Sequence, residues 1–175
     1  MNNLNTSYGK GWWLSAAQTI EISSLNGQYA IAYRDAQGKR HYFTQHYLNE
    51  NGEKVYYDAG GLGLTSVENS NEITDEKGNK LTFENGKLKK IITAYGEYVN
   101  TYNAAGQLLT VTNSVGKNIN LSYNSAGRLS TIKDANDICT SYFYDSYGNL
   151  TQITYHDGSK TKYSYDSASR LIKVT

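Results

Sequence analysis

Four tyrosines are each followed by an acidic or amide residue, and these pairs have clear chemical capacity. The pairs are Tyr102-Asn103, Tyr123-Asn124, Tyr144-Asp145 and Tyr165-Asp166. A phenol beside a carboxylate could transfer a proton, and a ladder of phenol rings could stack on sugars while the hydroxyls bond them. Alternatively, the Asp or Asn side chain could accept backbone hydrogen bonds and fix a tight turn.

The residue that follows each tyrosine distinguishes the chemical interpretation from the structural one. Asn stands there in two copies and Asp in two. An amide makes the same turn hydrogen bond as a carboxylate, but it cannot serve as a base or a strong cation ligand. Formation of the turn is therefore the only one of these roles that all four copies could perform. We predict four structural turn residues at these positions: Asn103, Asn124, Asp145 and Asp166.

The tyrosine rings could have a function that is independent of the turns. Tyr142 and Tyr144 lie two residues apart, as do Tyr163 and Tyr165, so each pair faces one side of its strand. We favour packing of these rings as aromatic cross-strand pairs. The alternative is a carbohydrate-binding site formed by the same four tyrosines, which would make the chain an adhesive module for cell-wall glycans.

A repeat of 21 residues positions the tyrosines. Glycine stands four residues after the tyrosine in three copies, and Ser169 stands there in the fourth. Leucine follows at six residues, and isoleucine or valine at nine. The glycines are Gly106, Gly127 and Gly148, and the leucines are Leu108, Leu129, Leu150 and Leu171. A second turn in each repeat centres on Gly116, Asp137 or Gly158.

The alternation between the turns is that of short strands. Residues 119–123 and 161–165 alternate with a period of two. Gly106, Gly127 and Gly148 would close a type I turn in the left-handed conformation. Ser169 in that conformation costs about 1 kcal/mol, which predicts a strained last turn. The predicted fold is all-β: a continuous, curved and open antiparallel strip of short β-hairpins, stabilised by contacts between neighbouring copies.

The repeat pattern predicts two regions. Residues 1–72 form an irregular β lead-in, and residues 73–175 carry the repeats. The repeats are placed near 83–101, 102–122, 123–143, 144–164 and 165–175. The first of these reads Phe83, Gly86, Leu88, with one residue fewer before its glycine, so its turn should differ.

Composition excludes several functional classes. A formal charge of +1 gives no electrostatic footprint for nucleic acid. Cys139 is the single cysteine, and no histidine or cysteine has metal-ligand spacing. The apolar run at 11–14 is too short to span a membrane, and no signal-peptide pattern is present. We predict no catalytic residue, no cofactor and no metal, and self-association through open sheet edges.

The pattern Tyr-[Asp/Asn]-x-x-Gly-[Arg/Asn/Gln]-Leu-x-x-[Ile/Val] resembles the YD repeats of RHS proteins. Residues 7–14, Ser-Tyr-Gly-Lys-Gly-Trp-Trp-Leu, resemble the start of the RHS region in Gram-positive wall-associated RHS proteins. Residues 38–43 and 57–64 are similar to the same lead-in. The resemblance covers nearly the whole chain and indicates the N-terminal part of an RHS region.

The resemblance implies a β-strip that spirals into a hollow shell around a C-terminal toxin or other effector. It implies a secreted or cell-surface bacterial protein whose partners are the remainder of a larger RHS protein or its effector. The family's self-cleavage motif contains proline, and this chain has none, so self-cleavage does not carry over. The expected role is that of a non-enzymatic shell segment.

Overall fold

A computed structural model describes residues 5–175, so residues 1–4 of the predicted lead-in lie outside the described part. Within it the regular structure consists of eighteen β-strands and no helix, which confirms the predicted all-β class. The strands are β1 (Asn5–Thr6), β2 (Gly9–Lys10), β3 (Thr19–Leu25), β4 (Gln28–Arg34), β5 (Arg40–Leu48), β6 (Lys54–Asp58), β7 (Leu64–Val67), β8 (Glu72–Asp75), β9 (Lys80–Glu84), β10 (Lys87–Thr93), β11 (Gly96–Tyr102), β12 (Leu108–Asn113), β13 (Asn118–Tyr123), β14 (Leu129–Lys133), β15 (Cys139–Tyr144), β16 (Leu150–Thr154), β17 (Lys160–Tyr165) and β18 (Leu171–Val174).

The described chain divides into two compact bodies. The lead-in body comprises residues 14–100 and 113–115, and the repeat body comprises residues 5–13, 101–112 and 116–175. This division concerns compactness, whereas the boundary predicted between residues 72 and 73 concerns sequence pattern. That boundary therefore stays a prediction.

In the lead-in body, strands β3 to β10 pair antiparallel in chain order. The first and last of them also meet, because Lys87 of β10 pairs with Thr19 of β3. The backbone N–H of Ile20 donates to the Gly86 carbonyl at 2.9 Å, and that of Leu88 donates to the Gln18 carbonyl at 3.0 Å. These eight strands therefore form a closed ring rather than the open strip that the pattern predicts.

The ring of the lead-in body encloses an apolar core. Ile31, Phe43, Ile73 and Leu88 are fully buried. Asn100 stabilises the edge of this core, because its side-chain amide donates a hydrogen bond to the Leu88 carbonyl at 3.0 Å. The β9–β10 turn has two residues, Asn85 and Gly86, both with positive φ, so the prediction of a different turn in this copy is confirmed.

In the repeat body, each strand from β12 to β18 pairs antiparallel with the next. A register shift falls just before the repeat tyrosine in β13, β15 and β17, so that Tyr144, for example, lies opposite Leu150. The repeat leucines point to the core: Leu108, Leu129 and Leu150 are 1%, 3% and 2% exposed. Leu171, on the terminal strand β18, is 47% exposed because it has a neighbour on one side only.

Candidate functional site

The residue after each repeat tyrosine forms a corner of fixed geometry. In the Asp145 corner, the Asp145 N–H donates to the Asn149 carbonyl at 3.0 Å and the Gly148 N–H donates to the Asp145 carbonyl at 3.1 Å. Asp145 Oδ1 then accepts the backbone N–H groups of Tyr147 and Asn149, each at 2.9 Å. The side chain thus bonds the backbone on the far side of the turn and holds it closed.

Asparagine builds the same corner. Asn124 Oδ1 accepts the backbone N–H groups of Ala126 and Arg128 at 3.0 Å each. Asn103 Oδ1 accepts the N–H of Gln107 at 2.9 Å. The corner therefore needs an oxygen at this place and not a negative charge.

The Asp166 corner closes with Ser169 in the place of glycine. Asp166 Oδ1 accepts the N–H groups of Ala168 and Arg170 at 2.9 Å each. Ser169 has φ +59°, while the glycines of the other three corners have φ +74°, +71° and +86°. Those glycines are Gly106, Gly127 and Gly148. The last corner is thus formed, but at the backbone cost of a left-handed residue with a side chain.

The aspartates of these corners are ionised at neutral pH. Burial alone would raise the pKa of Asp145, but hydrogen bonds from the Asn149 side chain and from backbone N–H groups lower it overall. The pKa of Asp166 is lowered by hydrogen bonds from the Arg170 backbone and side chain. The Asn149 amide donates to Asp145 Oδ2 at 2.9 Å, so each carboxylate is already used within its own turn.

The four tyrosines that could bind carbohydrate share a face but do not pair with one another. Strand β16 lies between β15 and β17, and Tyr142 and Tyr144 therefore face Ile153 and Leu150. The expectation of aromatic cross-strand pairs is wrong here, because the strands that carry the tyrosines alternate with strands that carry aliphatic residues. The residues opposite the tyrosines are aliphatic instead, with Val174 opposite Tyr163 and Leu171 opposite Tyr165. Burial raises the pKa of all four: Tyr142, Tyr144, Tyr163 and Tyr165.

The repeat tyrosines bond the backbone of the preceding copy. Tyr123 donates its hydroxyl to the Leu108 carbonyl at 2.8 Å, and Tyr165 donates to the Leu150 carbonyl at 2.8 Å. Both carbonyls lie 15 residues earlier in the chain. Tyr144 departs from this rule, because its hydroxyl lies 3.4 Å from the carbonyl of Tyr8.

The segment of residues 6–13, which we call the N-terminal segment, lies on this tyrosine face. The Leu129 N–H donates to the Ser7 carbonyl at 2.7 Å, and the Lys10 N–H donates to the Gly148 carbonyl at 3.1 Å. These bonds join the segment to two successive copies of the repeat, 123–143 and 144–164. Burial beside Tyr123 raises the pKa of the Tyr8 phenol.

Trp12 fixes the other end of the N-terminal segment. Its indole N–H donates to the Tyr165 hydroxyl at 3.2 Å. The Trp12 and Tyr163 rings meet edge to face, with centroids 5.1 Å apart. Three of the four tyrosines assigned to carbohydrate therefore contact the chain itself: Tyr144, Tyr163 and Tyr165. Sequence reasoning missed this contact, and its only signal was a glycine- and tryptophan-rich stretch far from the repeats.

An open cleft of about 460 Å³ lies beside the last two corners. Tyr163 and Tyr165 line it, whereas Tyr142 and Tyr144 do not, so the cleft does not gather the four tyrosines. The remaining lining residues are Asp145, Tyr147, Asn149, Thr151, Ser164, Asp166, Ser167 and Ser169.

Other reactive side chains are dispersed. Over residues 5–175, no group of three histidine, cysteine or acidic residues is arranged to hold a metal ion. His41 is buried against Asp35, with 2.7 Å between Nε2 and Oδ2. Cys139 is half-buried and unpaired. The described part of the chain holds no helix long and apolar enough to cross a membrane.

Comparison with known proteins identifies the family to which this architecture belongs. The family model described as Teneurin YD-shell matches residues 16–175. The chain belongs to the Teneurin YD-shell family. This YD-shell segment matches no curated protein.

Among solved structures, a chain of the Photorhabdus luminescens Tc holotoxin pore is similar to the YD-shell segment, with a TM-score of 0.32 and 15% sequence identity. The similarity covers 90% of this chain and 10% of that one, so the segment spans about a tenth of that chain's length.

Proposed function

We propose that this YD-shell segment is a non-enzymatic structural part of a shell that encloses or presents a C-terminal toxin or effector, in a secreted or cell-surface protein of the Gram-positive wall-associated type. The observation that carries the proposal is the corner geometry. Asn124 and Asp145 make the same backbone bonds, so the feature that recurs is a scaffold device.

The gene downstream of residue 175 provides the first test. We expect a continuing array of 21-residue copies followed by an unrelated C-terminal domain. The longer product would then be treated with protease before and after mild denaturation. Protection of the C-terminal domain in the folded product alone supports enclosure. Equal digestion of that domain before and after denaturation contradicts it.

The edge strand β18 supports a partner at this end. Lys162 and Thr175 exchange backbone hydrogen bonds at 2.8 and 2.9 Å, so the backbone groups of Ile172 and Val174 face away from β17. Both side chains are exposed, at 65% and 55%. We propose that this edge pairs with a further strand of the shell or of a second copy. Sedimentation of Val174→Lys against the unchanged chain tests self-association, which the substitution should weaken.

Carbohydrate binding by Tyr142, Tyr144, Tyr163 and Tyr165 stays a prediction. A glycan array with the unchanged chain and with Tyr142→Ala tests it. Tyr142 is the suitable position, because it carries neither the Leu150 bond of Tyr165 nor a described contact with the N-terminal segment. Binding that is lost in a folded Tyr142→Ala protein supports the prediction, and absence of binding in both proteins refutes it.

A further inference from the structure

The N-terminal segment is a small folded element in its own right. Its strands β1 and β2 pair through Thr6 and Gly9. The Thr6 hydroxyl donates to the Trp12 carbonyl at 2.8 Å and accepts the Tyr8 N–H at 3.1 Å. The segment therefore brings its own shape to the tyrosine face, and the repeats supply the complementary surface.

The complementarity is steric as well as polar. Gly9 has φ +105°, and a Cβ at this position would lie 3.1 Å from Tyr144 Cε1 and 3.5 Å from Leu150 Cβ. Gly11 also has positive φ, at +74°, but a Cβ there would meet nothing within 4 Å. Close approach to the repeats thus needs glycine at residue 9 and not at residue 11.

The repeat body accordingly contains a surface built to recognise a polypeptide loop. The Leu129 N–H and the Gly148 carbonyl form hydrogen bonds with the backbone of the loop. The Tyr163 ring and the Tyr165 hydroxyl oxygen contact the indole of Trp12. Backbone recognition of this kind selects a peptide over a sugar, because the loop supplies both a carbonyl acceptor and an N–H donor at a fixed spacing.

We propose that the tyrosine face of the repeat body is an interaction surface that accepts the segment of residues 6–13 from a second copy of this chain. Residues 14–100 separate the segment along the chain from the repeats that hold it, so exchange between copies preserves every contact of the closed form. This inference rests on the contacts alone and does not require the shell role.

The first experiment uses a fluorescein-labelled peptide of residues 5–14 and full-length protein. In Gly9→Val the branched side chain should expel the attached segment and leave the repeats unchanged. We expect saturable binding of the peptide to Gly9→Val, measured by fluorescence anisotropy. Binding to the unchanged chain should be at least about tenfold weaker, because the attached segment competes at an effective concentration of order millimolar. Gly11→Val is the matched control, because it carries the same left-handed backbone strain without a steric contact with the repeats, and it should bind the peptide more weakly than Gly9→Val.

The second experiment mixes two full-length variants. Gly9→Val has an open surface and a defective segment, whereas Tyr163→Ala/Tyr165→Phe has an intact segment and a defective surface. Sedimentation of both variants with Val174→Lys added, which removes association through the β18 edge, should show a one-to-one complex in the mixture and monomers of each variant alone. Trp12→Ala provides a second route to the open surface if Gly9→Val does not fold.

Three results would overturn the proposal. One is the absence of both peptide binding and the mixed complex when circular dichroism shows folded proteins. Another is equal peptide affinity for Gly9→Val and the unchanged chain. The third is displacement of the peptide by a cell-wall oligosaccharide at lower concentration than by unlabelled peptide, which would make the surface a sugar site.

Discussion

Replacing Asp145 by asparagine and by alanine separates architecture from charge at the corner. Asp145 accepts three hydrogen bonds, two at Oδ1 from backbone N–H groups and one at Oδ2 from the Asn149 amide, all at 2.9 Å. Each is worth about 0.5–1.5 kcal/mol net, and Asn149 is 3% exposed, so its amide loses its partner without access to water. We expect Asp145→Ala to lower the free energy of unfolding by about 2–4 kcal/mol.

Asp145→Asn should cost less than about 1 kcal/mol. The amide oxygen keeps both backbone bonds, as Asn124 shows. Asn149 Oδ1 is buried without a partner, so rotation of the Asn149 amide by half a turn lets this oxygen accept from the new amide. Asn103 and Gln107 already make that bond, at 2.8 Å.

Urea unfolding followed by circular dichroism at pH 7 measures both variants. The lowered pKa of Asp145 means that its contribution is present above its unfolded pKa, about 3.9, and is lost as the pH falls below it. Asp145→Asn should reduce that acid sensitivity. Equal destabilisation by Asn and Ala at pH 7 would refute the reasoning, since only a requirement for the charge produces it.

Three further outcomes follow from burial and backbone conformation, each measurable by denaturant or thermal unfolding. Leu150→Ala should cost about 2–5 kcal/mol, while Leu171→Ala, at 47% exposure, should cost less than about 1 kcal/mol; equal costs would contradict the core assignment. Ser169→Gly should stabilise the chain by about 1 kcal/mol, because it relieves a left-handed serine, and an unchanged melting temperature would argue against the turn. Burial raises the pKa of Tyr144 and Tyr165, so their contribution is complete below the unfolded value of about 10 and is lost as the pH rises above it; constant stability from pH 9 to pH 12 would contradict this.

The repeat body was largely predictable because its determinants are local. Each corner depends on residues within one turn. The pattern of Tyr144-Asp145 and Gly148 recurs every 21 residues, which makes these residues recognisable in the sequence. The same applies to the buried leucine two residues after the corner glycine. The side of the strand that each tyrosine faces follows from the period of two.

The closed ring and the N-terminal segment were not predictable for the opposite reason. Closure depends on Thr19 meeting Lys87, and the segment depends on Trp12 meeting Tyr163 and Tyr165. No short-range period records such pairings between distant parts of the chain. The altered hydroxyl bond of Tyr144, which lies next to Tyr8 rather than following the rule of Tyr123, is a consequence of the same distant contact.

Contacts between successive corners explain why glycine closes most of them. Gln107 donates its amide to the Gly127 carbonyl at 2.8 Å. One copy later, the Arg128 guanidinium lies over the Tyr144 ring, 5.9 Å from its centroid. A Cβ on Gly148 would lie 2.3 Å from Arg128 Nη2. The residue before the repeat leucine therefore reaches over the glycine of the next corner.

Alanine at Gly148 tests this coupling against a matched position. Gly148 and Gly158 have similar φ, +86° and +82°, but nothing lies within 4 Å of a Cβ at Gly158. Gly158→Ala should cost about 1–2 kcal/mol for the left-handed backbone alone. Gly148→Ala should cost about 0.5–1 kcal/mol more, because it displaces the guanidinium from the Tyr144 ring.

Arg128→Ala should abolish that excess, so that alanine costs the same at both glycines in this background. The double-mutant cycle isolates the contact from the backbone effect. An excess that survives Arg128→Ala would locate the cost in the corner itself and leave the copies uncoupled at this position. Asn149 occupies the position of Arg128 in the following copy, but its side chain is shorter and donates to Asp145 of its own corner. It therefore does not reach over the next corner, and that corner can accept Ser169 in place of glycine.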